Sequence, residues 1–489
     1  MTYFAYDVRS IKNFIFESLE FKSIIGASYL VRKFDERIKE DIGKIDSIEC
    51  IYTGGGTGIF KMKDRNKKSE VERIFLETKE KFFKDHDVVY TFVDEDEVKE
   101  SSKDDFENLD GMDEIGNFAK LYSKVAFKLN VEKEKFRESQ EKLLENVCPL
   151  CGEREATETL RRPSEGAIQV CPLCKMKYDA FYERHENEKG KSTQLSDYAE
   201  SKSSSNNRDS ESTSGYLGIV YCDGNSLGNI YKEFKTAEDF KTFSDALDKF
   251  VGEWVEKIVE NNDFLAPILG GDDILIFGKP SKLIEAIRNF NDYLKQKRAD
   301  VSNELTFSIG AAVIPMTLPL RFIFDVVTDL QKETKKLRHR LSEEVGKEKS
   351  SFIAFRYLNS FDLEPVNVEK CLKFGAGMKL EDFLSLYQKI EKYAKDKKVK
   401  RSTIQKIYDA ILGETIDEDI NIYGAKIAVM YFLSREENEL SYKDIEDISQ
   451  DILKLSKSEE YEKEKLEVFP IFMELFSYYE DFLKEGESK

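Results

Sequence analysis

The stretch "ILGGDDILIF", residues 268–277, reads as two apolar strand arms interrupted by Gly270, Gly271, Asp272 and Asp273. A glycine pair between two such arms predicts a hairpin. Glycine supplies positive φ and carries no side chain to keep another backbone, or a phosphate, at a distance. Asp272 and Asp273 then open the outgoing strand. Gly-Asp is also ordinary turn chemistry, so a plain solvated hairpin tip is the alternative reading.

Upstream, "YLGIVYCD" (216–223) reads as a strand ending at Asp223, and Gly224 and Asn225 in "CDGNSLG" (222–228) favour a tight turn just past that carboxylate. Adjacent antiparallel strands would gather Asp223, Asp272 and Asp273 at one edge of a sheet. Three carboxylates in one place repel unless a divalent cation lies between them. Asp223, Gly224, Asp272 and Asp273 are accordingly the candidate site for Mg²⁺ or Mn²⁺, ions that share their coordination with water and substrate phosphates. A nucleoside triphosphate is the expected third party. Two such ions can activate an attacking hydroxyl and stabilise leaving pyrophosphate without a histidine base.

The same pattern occurs once before. "TYFAYD" ends at Asp7, an amphipathic helical stretch follows, and "IYTGGGTGIF" (51–60) reads as strand, glycine turn and strand. Asp7 stands 47 positions before Gly54, and Asp223 stands 47 before Gly270. The two halves read as copies of one βαββ unit. The first hairpin, Gly54-Gly55-Gly56-Thr57, lacks the acidic pair, and Asp7 alone does not make a two-ion site.

"CPLC" occurs twice, at Cys148 to Cys151 and Cys171 to Cys174, with residues 152–170 between the pairs. This spacing suits a four-thiolate zinc site of Cys148, Cys151, Cys171 and Cys174. Four thiolates leave no open position, so the Zn²⁺ would be structural. Reduced thiols with coincidental spacing are the alternative. Cys50, Cys222 and Cys371 stand alone and read as buried free thiols.

At 489 residues, 40% hydrophobic and 35% charged, the chain suits a soluble globular protein of roughly three or four domains. No apolar run reaches membrane-span length, and Met1 to Asp7 lack the zones of a signal peptide, so a cytoplasmic protein without membrane contact is expected. The balance of 76 basic against 95 acidic residues disfavours extensive nonspecific wrapping of nucleic acid by this chain alone. The predicted units are residues 1–145, a first sheet domain; 146–185, the zinc segment; 186–215, a polar flexible linker; 216–358, a second sheet domain; and 359–489, helical to the end, as in 379–398 and 467–483.

The order of strand-Asp, helix, glycine hairpin, paired CxxC, second strand-Asp and GGDD resembles the large polymerase-like subunit of type III CRISPR effector complexes. "DVRSIKNFIFESLEFKSIIGASYL" (7–30), "LGGDDILIF" (269–277) and "FSIGAAVIPMTLPLRFIFDVVTDLQKETKK" (307–336) carry the likeness, which covers most of residues 1–340. The resemblance implies an α+β fold with two ferredoxin-like palm domains akin to diguanylate cyclases, a zinc-binding insert between them and a C-terminal α-helical bundle. It also implies a nucleotidyltransferase that makes cyclic oligoadenylates from ATP in antiviral defence, with the 3′-hydroxyl of one nucleotide attacking the α-phosphate of the next. Carried over by position, Asp223, Asp272 and Asp273 bind metal, Gly270 and Gly271 admit phosphates, and Lys335 holds a triphosphate. Read from the residues alone, Lys332, Lys335 and Lys336 also suit a solvated helix face. Ser308 is a candidate lining of the nucleotide pocket, or simply a packing residue. The first palm, with Gly54 and Gly55, is expected to be noncatalytic and to help bind a second nucleotide.

Two departures from that family stand out. Its histidine-aspartate nuclease domain is not expected here, since "HD" occurs only at His86 and Asp87 in a chain of three histidines. The segment between the zinc site and the second palm is short, which bears on docking with other effector subunits and guide or target RNA. A noncatalytic nucleotide-binding scaffold and a stand-alone nucleotide cyclase outside CRISPR remain the other readings.

Overall fold

A computed structural model describes residues 1–18, 20–84, 86–100, 117–135, 146–162, 166–187, 194–202, 215–225, 227–260, 263–345, 349–358, 377–395, 399–413, 415–416, 419–420, 422–435, 440–454 and 465–483. Cys371 lies outside the described residues. So do 188–193 and 203–214, which make up most of the predicted linker.

The chain opens with β1 (Thr2–Val8), α1 (Ile11–Phe16), α2 (Phe21–Gly43), β2 (Ile48–Gly54), β3 (Thr57–Met62), α3 (Lys68–Phe82) and β4 (Val88–Asp94). Their four strands form an antiparallel sheet in the order β2-β3-β1-β4. In α2, Ala27, Val31, Phe34, Ile38 and Ile42 recur at three- and four-residue spacing, and all are buried. The single helix expected after Asp7 is divided, because α1 ends at Phe16 and the chain re-enters α2 at Phe21. The break turns Glu17 inward to meet Lys177. Two further helices, α4 (Glu95–Glu100) and α5 (Asn117–Glu134), follow the sheet.

The paired cysteines flank a small hairpin of β5 (Glu158–Arg162) and β6 (Gly166–Val170), and α6 (Pro172–Asn187) leaves the second pair. This helix lies against α2. A Cβ placed on Gly26 would fall 1.7 Å from the Lys177 backbone oxygen, so the glycine of "GAS" permits the crossing. Lys177 is wholly buried, with its Nζ donating to the Phe14 carbonyl and to Glu17 (2.8 Å). Of the predicted linker, Leu195–Tyr198 forms a short 3₁₀ turn with Tyr198 buried, and Glu200 bridges to Tyr216. These residues are packed despite their polar surroundings in the sequence.

The second sheet is built from β7 (Tyr216–Gly224), α7 (Leu227–Lys232), α8 (Ala237–Val259), β8 (Phe264–Gly270), β9 (Asp273–Gly278), α9 (Leu283–Val301) and β10 (Phe307–Pro315). It continues through α10 (Leu320–Val345), β11 (Phe352–Tyr357) and β12 (Met378–Lys379). Thr236 and Asp239 form a reciprocal capping box that starts α8. The strand order is β12-β11-β10-β7-β9-β8. Its last four members repeat the first sheet's β2-β3-β1-β4 in mirror order along the list, so the duplicated unit is βαββαβ, the ferredoxin-like palm. That is one helix and one strand longer than the sequence pattern indicated. All nine residues of β10 are buried, as expected of a central strand flanked on both edges and covered on both faces.

Among the described residues, five helices follow: Leu380–Lys395, Arg401–Gly413, Ile422–Ser434, Tyr442–Lys454 and Lys465–Phe482. Their apolar faces join the core of the second palm. Tyr478 donates to the Pro280 carbonyl (2.6 Å), and Tyr357 donates to Asp481 (2.5 Å). The fold is thus α+β, with palm sheets, a cysteine-rich insert and a helical C-terminal part. Cys222 is buried as predicted, whereas Cys50 is only half-buried.

The α2–α6 crossing yields a stability prediction. Gly26→Ala should cost about 1–3 kcal/mol or more through overpacking against a backbone oxygen. Gly43→Ala, at a position of the same helix with nothing within 4 Å, should be neutral or stabilising by a few tenths. Urea denaturation of both variants checks the contrast.

Candidate active site

The two glycine hairpins meet each other across the palms. In the first, Gly54 pairs with Thr57, leaving Gly55 (φ 59°) and Gly56 (φ 80°) as the turn. In the second, Gly270 pairs with Asp273, leaving Gly271 (φ 57°) and Asp272. Only Gly271 of the GG pair is needed for its φ. Gly270 is needed for proximity, since a Cβ there would lie 2.7 Å from the Cα of Gly55. Asp35 of α2 anchors the acid-free hairpin, accepting from the Gly56 N–H (2.8 Å) and the Tyr6 hydroxyl (2.7 Å).

A cavity of about 390 Å³ opens on one side of this contact. Gly54, Gly55, Gly270, Gly271, Asp272 and Asp273 all line it, as do Asp7 and the aromatic rings of Tyr122 and Tyr231. Asp7 is held by Lys133 of α5 at 2.6 Å. Burial raises the Asp7 carboxyl above its ordinary range, against the pull of that lysine.

The aspartates stand at neighbouring strand ends, and each has a different partner. Asp223, at the end of β7, pairs with Lys335 of α10. Asp273 accepts from the Tyr221 hydroxyl (2.5 Å) and pairs with Lys12 of α1 at 3.1 Å. Asp272 has no ion pair among the described residues, and burial together with the charges of Asp273 and Asp223 pushes its carboxyl up to about 7. Gly224 makes room for it, because a Cβ at Gly224 would lie 2.7 Å from the Cβ of Asp272.

The three carboxylates are adjacent but not drawn to single-ion spacing. Among the described residues, only the cysteines bring three or more such ligand atoms within 4.8 Å of one another. The physical reason is that two lysines hold the outer carboxylates. The donor set still suits Mg²⁺ or Mn²⁺. It is all oxygen and mutually repulsive, and Asp272, which has no ion pair among the described residues, feels the charges of both Asp273 and Asp223.

Lys335 separates from its helix neighbours. Lys332 and Lys336 form exposed pairs with Asp329 and Glu333, the solvated face expected of them, whereas Lys335 points at Asp223. Ser308 departs from the pocket assignment. It sits opposite Asp223 in the β7–β10 register but is fully buried, and its hydroxyl donates to Asn225 Oδ1 at 2.7 Å. Asn225 in turn donates to Thr306, so Ser308 fixes the turn after Asp223 and does not line the cavity. His86 is also structural. Its Nε2 contacts the Arg9 carbonyl (2.9 Å), and burial drives its pKa down to about 4.

Sequence reading missed Lys12, Tyr221 and Asp35. Two-residue alternation back from Asp223 signals Tyr221. Nothing local signals Lys12 or Asp35, whose roles exist only once helices and hairpins are assembled.

Cys148, Cys151, Cys171 and Cys174 form the one such metal-ligating group among the described residues. Cys171 immediately precedes α6, Cys174 lies in its first turn, and the Cys174 N–H points at the Cys171 sulfur (3.3 Å). The Cys151 and Cys171 sulfurs are 3.9 Å apart, close to the roughly 3.8 Å edge of a tetrahedron with 2.3 Å Zn–S bonds. The four thiolates fit a structural zinc ion.

Tandem ferredoxin-like sheets joined at their glycine hairpins, with a GGDD acid edge, define a double-palm architecture. Residues 216–342 match the family model for Cas10/Cmr2, second palm domain. No curated protein matches the chain. Solved structures share its fold. Csm1 of T.onnurineus aligns at 15% identity and TM-score 0.52, covering 97% of this chain and 69% of that one. A Csm1–Csm4 cassette in complex with cA4 aligns at 14% identity and TM-score 0.51, covering 93% and 69%. The Csm1–Csm4 subcomplex of the type III-A CRISPR–Csm interference complex aligns at 15% and 0.51, covering 97% and 70%. The resemblance drawn from the sequence is borne out: residues 216–342 match the Cas10/Cmr2 second palm, and the chain as a whole is similar in fold to Csm1. No helix among the described residues is long and apolar enough to cross a membrane.

Two measurements probe the site. The purified chain should carry one zinc per molecule by elemental analysis, and Cys174→Ser should lower both zinc content and melting temperature. The second concerns Asp272, whose folded pKa near 7 exceeds its ordinary 3.8. Between these values the folded chain holds a proton that the unfolded chain has released, so stability falls as pH rises through the window. Asp272→Asn should therefore gain stability relative to wild type from pH 4 to pH 7 and level off above. Denaturation without added Mg²⁺ or Mn²⁺ measures this, and a flat difference would contradict the burial.

Proposed function

We propose that this protein is a palm-type nucleotidyltransferase that joins ATP into a cyclic oligonucleotide messenger, as a component of type III CRISPR-like antiviral defence. The observation that carries this reading is the apposition of the acid-bearing hairpin and the acid-free hairpin at Gly270 and Gly55, around one cavity that both palms line. Relatives of the same fold have been solved with cA4, cA3, pppApApA and AMPPNP, which favours adenine nucleotides here. Residues 1–145 would act as the noncatalytic palm, 146–185 as the zinc-binding segment, 216–358 as the catalytic palm and 359–489 as the helical domain. Csm4-like subunits and guide or target RNA are the proposed macromolecular partners.

Asp223, Asp272 and Asp273, with the Gly224 backbone, would hold Mg²⁺ or Mn²⁺. When bound, that metal supplies charge neutralisation and polarisation of a phosphate. Gly270 and Gly271 leave the backbone open to phosphate oxygens, since neither presents a side chain. Lys335 is freed for a triphosphate when Asp223 takes another cation. Gly54 and Gly55 offer the same open backbone to a second nucleotide, and Asp7, which lines the cavity beside them, is paired with Lys133. Aromatic faces at Tyr122 and Tyr231 suit base stacking.

A noncatalytic nucleotide-binding scaffold is the second reading, favoured by one observation: Asp223 and Asp273 rest on lysines and the three carboxylates do not converge. Incubation with ATP and Mg²⁺ or Mn²⁺, with and without RNA, and product identification by mass decides between them. The enzyme reading expects pyrophosphate and a cyclic product, reduced at least ~100-fold by Asp272→Ala or Asp273→Ala, beyond the loss seen for outer-shell metal-site residues. Lys335→Ala should raise KM for ATP more than it lowers kcat. Nucleotide binding without pyrophosphate under every condition would leave the scaffold.

A further inference from the structure

Lys12 lies on α1 of the first palm, yet its ammonium is engaged entirely in the second. It pairs with Asp273 at 3.1 Å, hydrogen-bonds the Tyr221 hydroxyl, and sits over the Tyr221 ring with 4.9 Å to the centroid. Tyr221 donates to the same oxygen, Asp273 Oδ1, that Lys12 approaches. One oxygen of one carboxylate thus receives a cation from one palm and a hydroxyl from the other. The partial exposure of Lys12, about a third of its side chain, leaves it room to withdraw. The arrangement parallels Lys335 on Asp223, but Lys335 belongs to the acid-bearing palm and Lys12 does not.

We propose that Lys12 is a positioning residue supplied by the first palm, a built-in counter-ion for Asp273 that a divalent cation must displace in order to occupy the acid site. The inference rests on the reading of Asp223, Asp272 and Asp273 as metal ligands and adds the residue that competes for them. An ammonium and a divalent cation cannot both claim Asp273 at full strength, because each repels the other at this distance. Metal occupancy then loosens the palm–palm contact at α1, and by reciprocity whatever moves α1 changes metal affinity by the same factor.

Mn²⁺ binding to the full chain, followed by the loss of the free-ion electron paramagnetic resonance signal at constant pH, tests this without any turnover. Lys12→Met should bind Mn²⁺ about 2- to 5-fold more tightly than wild type, the upper part of the range expected for release of a partly exposed ion pair. Lys12→Arg, which keeps the charge, should stay within about 2-fold of wild type and controls for folding. In an Asp273→Asn background, Lys12→Met should change nothing, since the competed carboxylate is gone. Unchanged or weaker binding by Lys12→Met overturns the proposal. So does equal tightening in the Asp273→Asn background, which would be a general charge effect. If wild type binds no Mn²⁺, or binds it equally after Asp223→Asn and Asp272→Asn, the metal-site reading itself has failed, and the proposal falls with it by a distinguishable route.

Discussion

The approach of Gly55 to Gly270 is the contact on which the rest of the arrangement depends. The two hairpin backbones come this near because Gly270 carries no Cβ, which would lie 2.7 Å from the Gly55 Cα, while Gly55 supplies the positive φ (59°) of its own turn. Their apposition puts the acid-bearing turn of one palm opposite the acid-free turn of the other, and both palms line the cavity beside it that Asp272 and Asp7 share. The stacked rings of Phe16 and Phe324, with centroids 4.0 Å apart, close the junction at another point. A chain with two palms provides internally what single palms would have to assemble by dimerisation.

Charge governs what happens at that junction. Asp223 and Asp273 each have a lysine, whereas Asp272 has none and answers burial and repulsion by holding its proton more tightly. The two lysines come from opposite sides of the junction, α10 and α1. Two of the three carboxylates are thus matched by an ammonium, and Asp272 is the one that would gain most from added positive charge.

A line of contacts connects this edge to the cysteine cluster. The cysteine-rich segment leads into α6, where buried Lys177 holds the Phe14 carbonyl at the end of α1 and joins Arg154 on Glu17. Lys12 lies on the same short helix. A buried ion pair of this kind is costly to break once one partner is removed, so the insert braces the helix that reaches across to Asp273.

Much of this was legible in order along the chain. The 47-residue spacing located both hairpins, apolar alternation located the strands around them, and the CxxC pairs located the sulfur cluster, because each depends on residues close in sequence. Ser308 carried two readings, pocket lining or packing, because strand alternation gives a face but not whether that face meets a cavity or a neighbouring turn; in the fold it is buried and bonded to Asn225. The docked turn at Leu195–Tyr198 was obscured by its polar neighbours, although Tyr198 itself is buried.

By itself the sequence determined the duplicated strand-helix-hairpin unit, the acids on one copy and their absence from the other, and the four thiolates. Only the tertiary structure decided that the two glycine turns touch, that Lys335 and not Lys332 or Lys336 faces Asp223, and that Lys12 crosses to Asp273. The reason is physical. Local patterns set which face of an element is apolar, but the partner of a charged side chain is chosen by packing between elements far apart in the chain, about which local periodicity carries no information.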